Sequence, residues 1–243
     1  MFCTPGLNCH SCPAAAVSCP VGALQLFFGG VSHAAGLYAA GFLLACGAAT
    51  GRLACGYVCP MGFLQDLLYK IKTPKKITRM KFARYLKYFV LAVFVVVLPL
   101  FALNDLSGLG EPWFCKYICP SGTILGALPL LAANDFLRGM AGAIFIFKAS
   151  LAACFTGASV FVYRFFCRAF CPLGAFYSLF NGAALVRMRC DKSVCDSCGD
   201  CAAACKLKIE PFKAPNAAEC IRCGDCAASC AKKALALKIS GTK

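Results

Sequence analysis

The sequence predicts a mainly α-helical membrane protein that ends in a small α+β domain. Three observations predict it. The 243-residue chain is 60% hydrophobic and only 14% charged, where a soluble domain carries about 25% charged residues. Its apolar segments are edged by one short pattern, C-x3-C-P-x-G: "CGYVCPMG" at Cys55, "CKYICPSG" at Cys115 and "CRAFCPLG" at Cys167. Residues 188–243 are more polar and carry two matched cysteine runs.

About three transmembrane helices are expected, since roughly 20 apolar residues cross ~30 Å of hydrocarbon. The first is placed near His33 to Arg52, inside the uncharged stretch Leu24 to Gly51. The second runs from about Tyr85 to Leu103 and the third from about Ala141 to Tyr163, with Lys148 as its one charge. Gly122 to Ala133 is too short to cross and reads as a re-entrant or interfacial half-helix. The start "MFCTPGLNCHSCP" has neither a basic n-region nor a clean apolar h-region, so no cleavable signal is expected.

The net charge of +15 reads as a topology signal, not as a nucleic-acid surface. Lys70, Lys72, Lys75, Lys76, Arg79, Lys81, Arg84 and Lys87 form a basic loop with no acid among them. Such loops stay in the cytoplasm. The second span then runs outward, and the segment with Asp105, Glu111 and Asp135 suits the outside. The third span returns inward to Arg164 and Arg168, so the C-terminal domain is expected in the cytoplasm.

An internal repeat is also legible. "RLACGYVCPMGF" at Arg52 aligns with "RFFCRAFCPLGAF" at Arg164, and "SCPVGAL" at Ser18 with "ICPSGTI" at Ile118. The expectation is a two-fold internal repeat in a membrane domain of residues 1–187, with halves at about 1–72 and 115–185. A second domain fills residues 188–243. Both halves run the same way, as in parallel repeats about the membrane normal.

The chain has 21 cysteines. Their tight, repeated spacing and odd number argue against a disulfide framework. Cys195, Cys198, Cys201 and Cys205 are followed by Cys220, Cys223, Cys226 and Cys230 in the same C-x2-C-x2-C-x3-C spacing. This is the bacterial two-cluster ferredoxin pattern, in which the fourth cysteine of each run serves the other cluster. One [4Fe–4S] cluster is therefore assigned to Cys195, Cys198, Cys201 and Cys230, and a second to Cys220, Cys223, Cys226 and Cys205. Zinc ribbons pair two C-x2-C knuckles at wider separation. Lys206 and Ala231 stand where this pattern has proline.

The membrane motifs ask for the same chemistry. Proline suits the first helical position because its missing N–H needs no partner there. The second cysteine of C-x3-C-P-x-G then sits at a helix start, facing free amides and the positive dipole end. Iron–sulfur clusters held by thiolates carry negative charge, so helix starts suit them. Cys55, Cys59, Cys167 and Cys171 fall at the inner edge and are expected to hold one cluster. Cys115 and Cys119 fall at the outer edge, with Cys3, Cys9, Cys12 and Cys19. Cys12, Cys19, Cys115 and Cys119 are the first choice for an outer cluster. Cys9 and Cys3 leave room for another choice or a fifth cofactor. Cys46 and Cys154 lie within spans and read as small buried hydrophobes.

"CGYVCPMG" and "CRAFCPLG", with the trailing two-cluster run, resemble the membrane polyferredoxins of the NapH and NosR kind. The resemblance implies electron transfer in a bacterial cytoplasmic membrane. It also implies a quinone pool or an extracytoplasmic FMN-binding protein as partner. No catalytic nucleophile or acid–base pair stands out, so an electron-transfer subunit of an oxidoreductase complex is expected. Its clusters would wire redox proteins on both membrane faces. The alternative is a membrane redox sensor or a metal-centre assembly factor.

Overall fold

The computed structural model describes residues 19–29, 33–73, 82–101, 110–133, 135–139 and 142–239. Cys3, Cys9 and Cys12 lie outside these residues, as do Lys75, Lys76, Arg79 and Lys81 of the basic loop. The described chain is mainly helical.

Helix α1, Pro20–Phe28, is followed by α2, His33–Thr50, then by the short α3, Leu53–Tyr57, and α4, Pro60–Tyr69. Helix α5, Ala83–Phe101, is continuous but widens to π-helical winding over Leu91–Val97. The π-helical turn α6, Phe114–Ile118, leads to α7, Gly122–Ala133, and to α8, Asp135–Gly139. Helix α9, Ala143–Phe161, is followed by the short α10, Phe165–Ala169, and α11, Pro172–Phe180. The chain closes with β1, Val186–Cys190, α12, Asp200–Ala204, α13, Asp225–Ala228, and β2, Leu235–Ile239.

Among the described residues two helices, α5 and α9, are long and apolar enough to cross a membrane. At 1.5 Å per residue each runs roughly 28 Å. The first expected span forms α2, His33–Thr50, which includes the apolar stretch Ala40–Thr50. Apolar side chains point outward: Phe89, Val97, Leu100 and Phe101 on α5, and Ile144, Ile146 and Phe147 on α9. Water would oppose such exposure by about 25 cal/mol per Å², whereas lipid does not. Cys154 shares this outward placement; its helix turns it away from the core, so the expected burial does not hold.

The helical core sits around the cysteines. Val21, Met61, Val90, Val95, Phe114 and Phe155 pack with Cys115 and Cys167, and Cys19, Cys59, Cys119 and Cys171 border the same cluster. Phe155 anchors it, with ring centres 5.3 Å from Phe166 and 4.9 Å from Phe170.

In the C-terminal part β1 pairs antiparallel with β2, from Val186 opposite Ile239 to Cys190 opposite Leu235. The two cysteine runs between the strands share one backbone course. Ser197 and Arg222 have positive φ (59° and 55°), as do Gly199 and Gly224 (90° and 87°), and Lys208 and Lys233 (53° and 52°). Each pair has the offset that relates Cys195 to Cys220. Left-handed residues are uncommon outside glycine. Their matched recurrence bends both runs alike, and each bend ends in a helix start at Asp200 or Asp225.

Candidate iron–sulfur centres

Each second cysteine stands at a helix start. Cys19, Cys59 and Cys171 precede Pro20, Pro60 and Pro172 with ψ of 113°, 114° and 114°. At Cys171 the sulfur accepts the Gly174 amide at 3.4 Å, the contact the motif predicts. The Cys19 and Cys59 caps make no such bond.

The first cysteines Cys55 and Cys167 lie in the five-residue helices α3 and α10, whose last carbonyls lack intrahelical partners. In all three motifs a cation from elsewhere reaches the first-cysteine carbonyl. Arg164 Nη1 donates to Cys55 O at 2.7 Å. Arg52 Nη2 donates to Cys167 O at 3.4 Å. Lys148 Nζ donates to Cys115 O at 3.3 Å. The two arginines open the R-x2-C of each inner motif, so each motif caps the other. The motif glycines make room for this. A Cβ on Gly62 would lie 3.0 Å from Cys55 O and 3.3 Å from Arg164 Nη1. One on Gly174 would lie 3.0 Å from Cys167 O and 3.4 Å from Arg52 Nη2.

Two buried glutamines repeat a second arrangement. Gln65 Nε2 donates to Cys167 Sγ at 3.1 Å, and its Oε1 accepts the Phe166 amide at 3.1 Å. Gln25 Nε2 donates to Cys115 Sγ at 3.3 Å, and its Oε1 accepts the Phe114 amide at 3.2 Å. Each glutamine stands six residues after a cysteine, in "CPVGALQ" and "CPMGFLQ". Cys19 is thereby tied to the Cys115 motif as Cys59 is tied to the Cys167 motif.

The inner four cysteines are electrostatic neighbours. Burial pushes the Cys167 thiol up to about 12, with Cys59 and Cys55 adding to it and Arg164 opposing. Burial also raises Cys55, against Arg52 and Arg164, and it raises Cys171 beside Cys167, Cys55 and Cys59. Such thiols lose their protons when a metal takes their place.

The surroundings fit a negatively charged cluster. Arg52, Lys87, Arg164 and Arg168 are all buried. Glu219 pairs with Arg52 and Lys87, and Asp66 with Arg164. Arg52 Nε and the Nε and Nη1 of Arg168 have no hydrogen-bond partner among the described residues. Buried cations in excess over carboxylates, with amides aimed at sulfur, suit thiolates bound to iron. Among the described residues no three metal-binding side chains close around a single ion. A cubane holds its four thiolates farther apart than one ion does.

Several C-terminal cysteines are electrostatic neighbours. Cys226 has Cys220, Cys223 and Cys205 around it. Cys190 at the end of β1 neighbours Cys195, Cys201 and Cys230, and Lys232 neighbours Cys198 and Cys195.

The second run lies against the inner motif. A Cβ on Gly56 would lie 2.8 Å from Ile221 O. Tyr57 Oη donates to Cys223 O at 2.9 Å. Asn181 Nδ2 donates to Ala217 O at 2.7 Å and to Cys220 O at 2.8 Å, while Arg222 Nη2 donates to Asn181 O at 2.7 Å. Glu219 meets Arg52 at 3.2 Å and Lys87 at 2.5 Å. Burial pushes its carboxyl up, but the two cations outweigh burial and hold it below the usual range.

Residues 32–81, 88–132 and 141–189 each match the family described as 4Fe-4S binding domain. The chain belongs to this 4Fe-4S binding domain family. Each match holds one C-x3-C-P-x-G, so the Cys115 motif falls within the family pattern together with the Cys55 and Cys167 motifs. Two relatives are uncharacterized proteins of Methanocaldococcus jannaschii. MJ0750 is 32% identical over 174 residues, which is 70% of this chain and 65% of that protein. MJ0749 is 26% identical over 170 residues, which is 70% of this chain and 57% of that protein. The chain thus spans less than two thirds of these relatives' lengths. No solved structure matches the chain.

Sequence reasoning passed over Gln25, Gln65 and Glu219. For the glutamines a signal was present in the shared C-P-x-G-x2-Q. Glu219 carries no such signal, because its partners Arg52 and Lys87 are remote in the chain.

Proposed function

We propose that the chain is a membrane-embedded iron–sulfur electron-transfer subunit. Cys55, Cys59, Cys167 and Cys171 hold an inner [4Fe–4S] cluster. Cys19, Cys115 and Cys119 hold an outer one, with Cys12 as the expected fourth ligand. Cys205, Cys220, Cys223 and Cys226 hold a third, and Cys195, Cys198, Cys201 and Cys230 a fourth. Bound there, such clusters accept and release one electron each at nearly fixed geometry.

The observation that carries this reading is the contact between the inner motif and the second C-terminal run. Gly56 follows the ligand Cys55, and Ile221 lies between the ligands Cys220 and Cys223, so two ligand loops meet backbone to backbone. Tyr57 and Asn181 tie the carbonyls of Cys223 and Cys220 to the helical part. The Cys220 group is thus the near one and the Cys195 group the far one. Cys198 of the far group is exposed, where a soluble redox protein can approach it.

The membrane setting rests on α5 and α9 with their outward apolar faces. Lys87, in the first part of α5, pairs with Glu219, so that part of the helix and the C-terminal unit share one side. With the basic loop before α5, that side is the cytoplasm. The outer partner is then an extracytoplasmic redox protein, FMN-bearing in the family the motifs resemble, or a quinone.

The test is directional reduction in sealed vesicles, with the C-terminal unit facing the lumen. An impermeant reductant added outside should reduce the C-terminal clusters. Reduction that requires a permeant reagent would leave the sensor or assembly role instead.

A further inference from the structure

The chain contains two glutamines, Gln25 and Gln65, and both are fully buried. Both donate to the sulfur of a first motif cysteine, at 3.3 Å and 3.1 Å. Nothing in the ligand count requires them. Burying a primary amide is unfavourable unless its groups are paired, and here they are. Gln65 Oε1 accepts from the Phe166 amide and from Ser159 Oγ, and Nε2 donates to Met61 O at 3.2 Å as well as to the sulfur. Gln25 Nε2 likewise donates to Val21 O at 3.4 Å.

The partners fix the orientation of each amide. A backbone N–H can only donate, so Phe166 and Phe114 claim the oxygen and leave the NH2 for the sulfur. The phenylalanines are fixed in turn: Phe166 O accepts the Cys171 amide and Phe114 O the Cys119 amide, each at 3.0 Å. Every glutamine is therefore locked between the two cysteines of one motif.

We propose that Gln65 and Gln25 are positioning residues that set the reduction potentials of the inner and outer clusters. This rests on the ligand assignment above. A donor aimed at a ligating sulfur draws electron density from it, and hydrogen bonds to sulfur are among the factors that set cluster potential. The reduced cluster carries one more negative charge than the oxidised one. A fixed N–H···S bond favours the reduced form and raises the potential. Both side chains are fully buried, so the effect belongs to the residue itself.

The test uses the full chain in detergent with its clusters. First, glutamine labelled with 15N in the side-chain amide is supplied to cells that do not redistribute the label. Pulsed EPR of the reduced protein should then show 15N coupling on the membrane-cluster signals and none on the C-terminal ones. Second, Gln65→Met should lower the midpoint potential of one membrane signal and Gln25→Met that of the other. The expected size is about tenfold in the reduction equilibrium, about 59 mV for one electron. The C-terminal potentials should not move. Membrane signals without 15N coupling, or variants with intact signals and unchanged potentials, overturn the tuning role alone. Absence of any membrane signal in the unaltered protein overturns the ligand assignment, and the tuning role falls with it. Should Gln65→Met lose its cluster, the 15N coupling in the unaltered protein still decides.

Discussion

Arg164 donates to the backbone carbonyl of Cys55 at 2.7 Å, across 109 residues of sequence. Arg52 returns the bond to Cys167. The Cys55 and Cys167 motifs are therefore joined through their backbone carbonyls, independent of any metal. Arg164 also binds Asp66 through two oxygens, so its guanidinium serves a carboxylate and the Cys55 carbonyl at once.

Replacing Arg164 should cost the inner site its shape. Arg164→Leu removes the partner of the part-exposed Asp66 and leaves the Cys55 carbonyl uncapped, and an unsatisfied buried group costs about 1–3 kcal/mol. Arg164→Lys keeps the charge but loses the fork that spans carboxylate and carbonyl. Iron bound per chain should fall in both, and further in the leucine variant. Full inner-cluster EPR intensity in Arg164→Leu would show that the exchange of arginines is not needed.

Glycines 62 and 174 are expected to resist substitution. Gly174→Ala places a methyl 3.0 Å from Cys167 O, and overpacking of this kind costs about 1–3 kcal/mol. Gly182→Ala meets nothing within 4 Å and serves as the control. Thermal unfolding of Gly62→Ala, Gly174→Ala and Gly182→Ala checks this. Equal midpoints for Gly174→Ala and Gly182→Ala would remove the close-passage explanation of the motif glycine.

Cys59→Ser and Cys171→Ser should each disturb the same inner cluster and spare the C-terminal ones. The double variant should be no worse than either single, because ligands of one cluster act as a unit and their effects do not add. EPR spectra of the three proteins settle it. Distinct losses for the two single variants would assign the cysteines to different clusters.

Glu219 is the ionic link between the parts. Glu219→Ala leaves Arg52 and Lys87 buried without their carboxylate. Unpaired buried charge destabilises strongly, so the C-terminal unit should loosen from the helices. Faster proteolysis between residues 181 and 195 is the expected readout. An unchanged cleavage rate would mean that Asn181, Arg222 and Tyr57 hold the parts together alone.

Much of this was legible because it is local. Pro20, Pro60 and Pro172 start helices wherever the motif puts them, since proline needs no partner for an N–H it lacks. The two matched cysteine runs are legible for the same reason. Their spacing forces matched bends, seen in the paired positive φ of Ser197 and Arg222. The arginine of R-x2-C was visible as part of the repeat, but its partner was not, because Cys55 O belongs to the other motif. Gln65, Ser159 and Phe166 meet only once α4, α9 and α10 have packed. The π-helical winding in α5 has no counterpart in the apolar run that encodes it. Cys3, Cys9 and Cys12, from which the outer site would draw its remaining ligand, lie outside the described residues.

The most direct test of four clusters on one chain is the iron and acid-labile sulfide content of the anaerobically purified protein, with EPR of its reduced form. Four cubanes require about sixteen iron atoms per chain. The same protein with Cys59→Ser should lose about four and keep its C-terminal signals. A content near eight, with only ferredoxin-type signals and no change on Cys59→Ser, would contradict the membrane clusters outright.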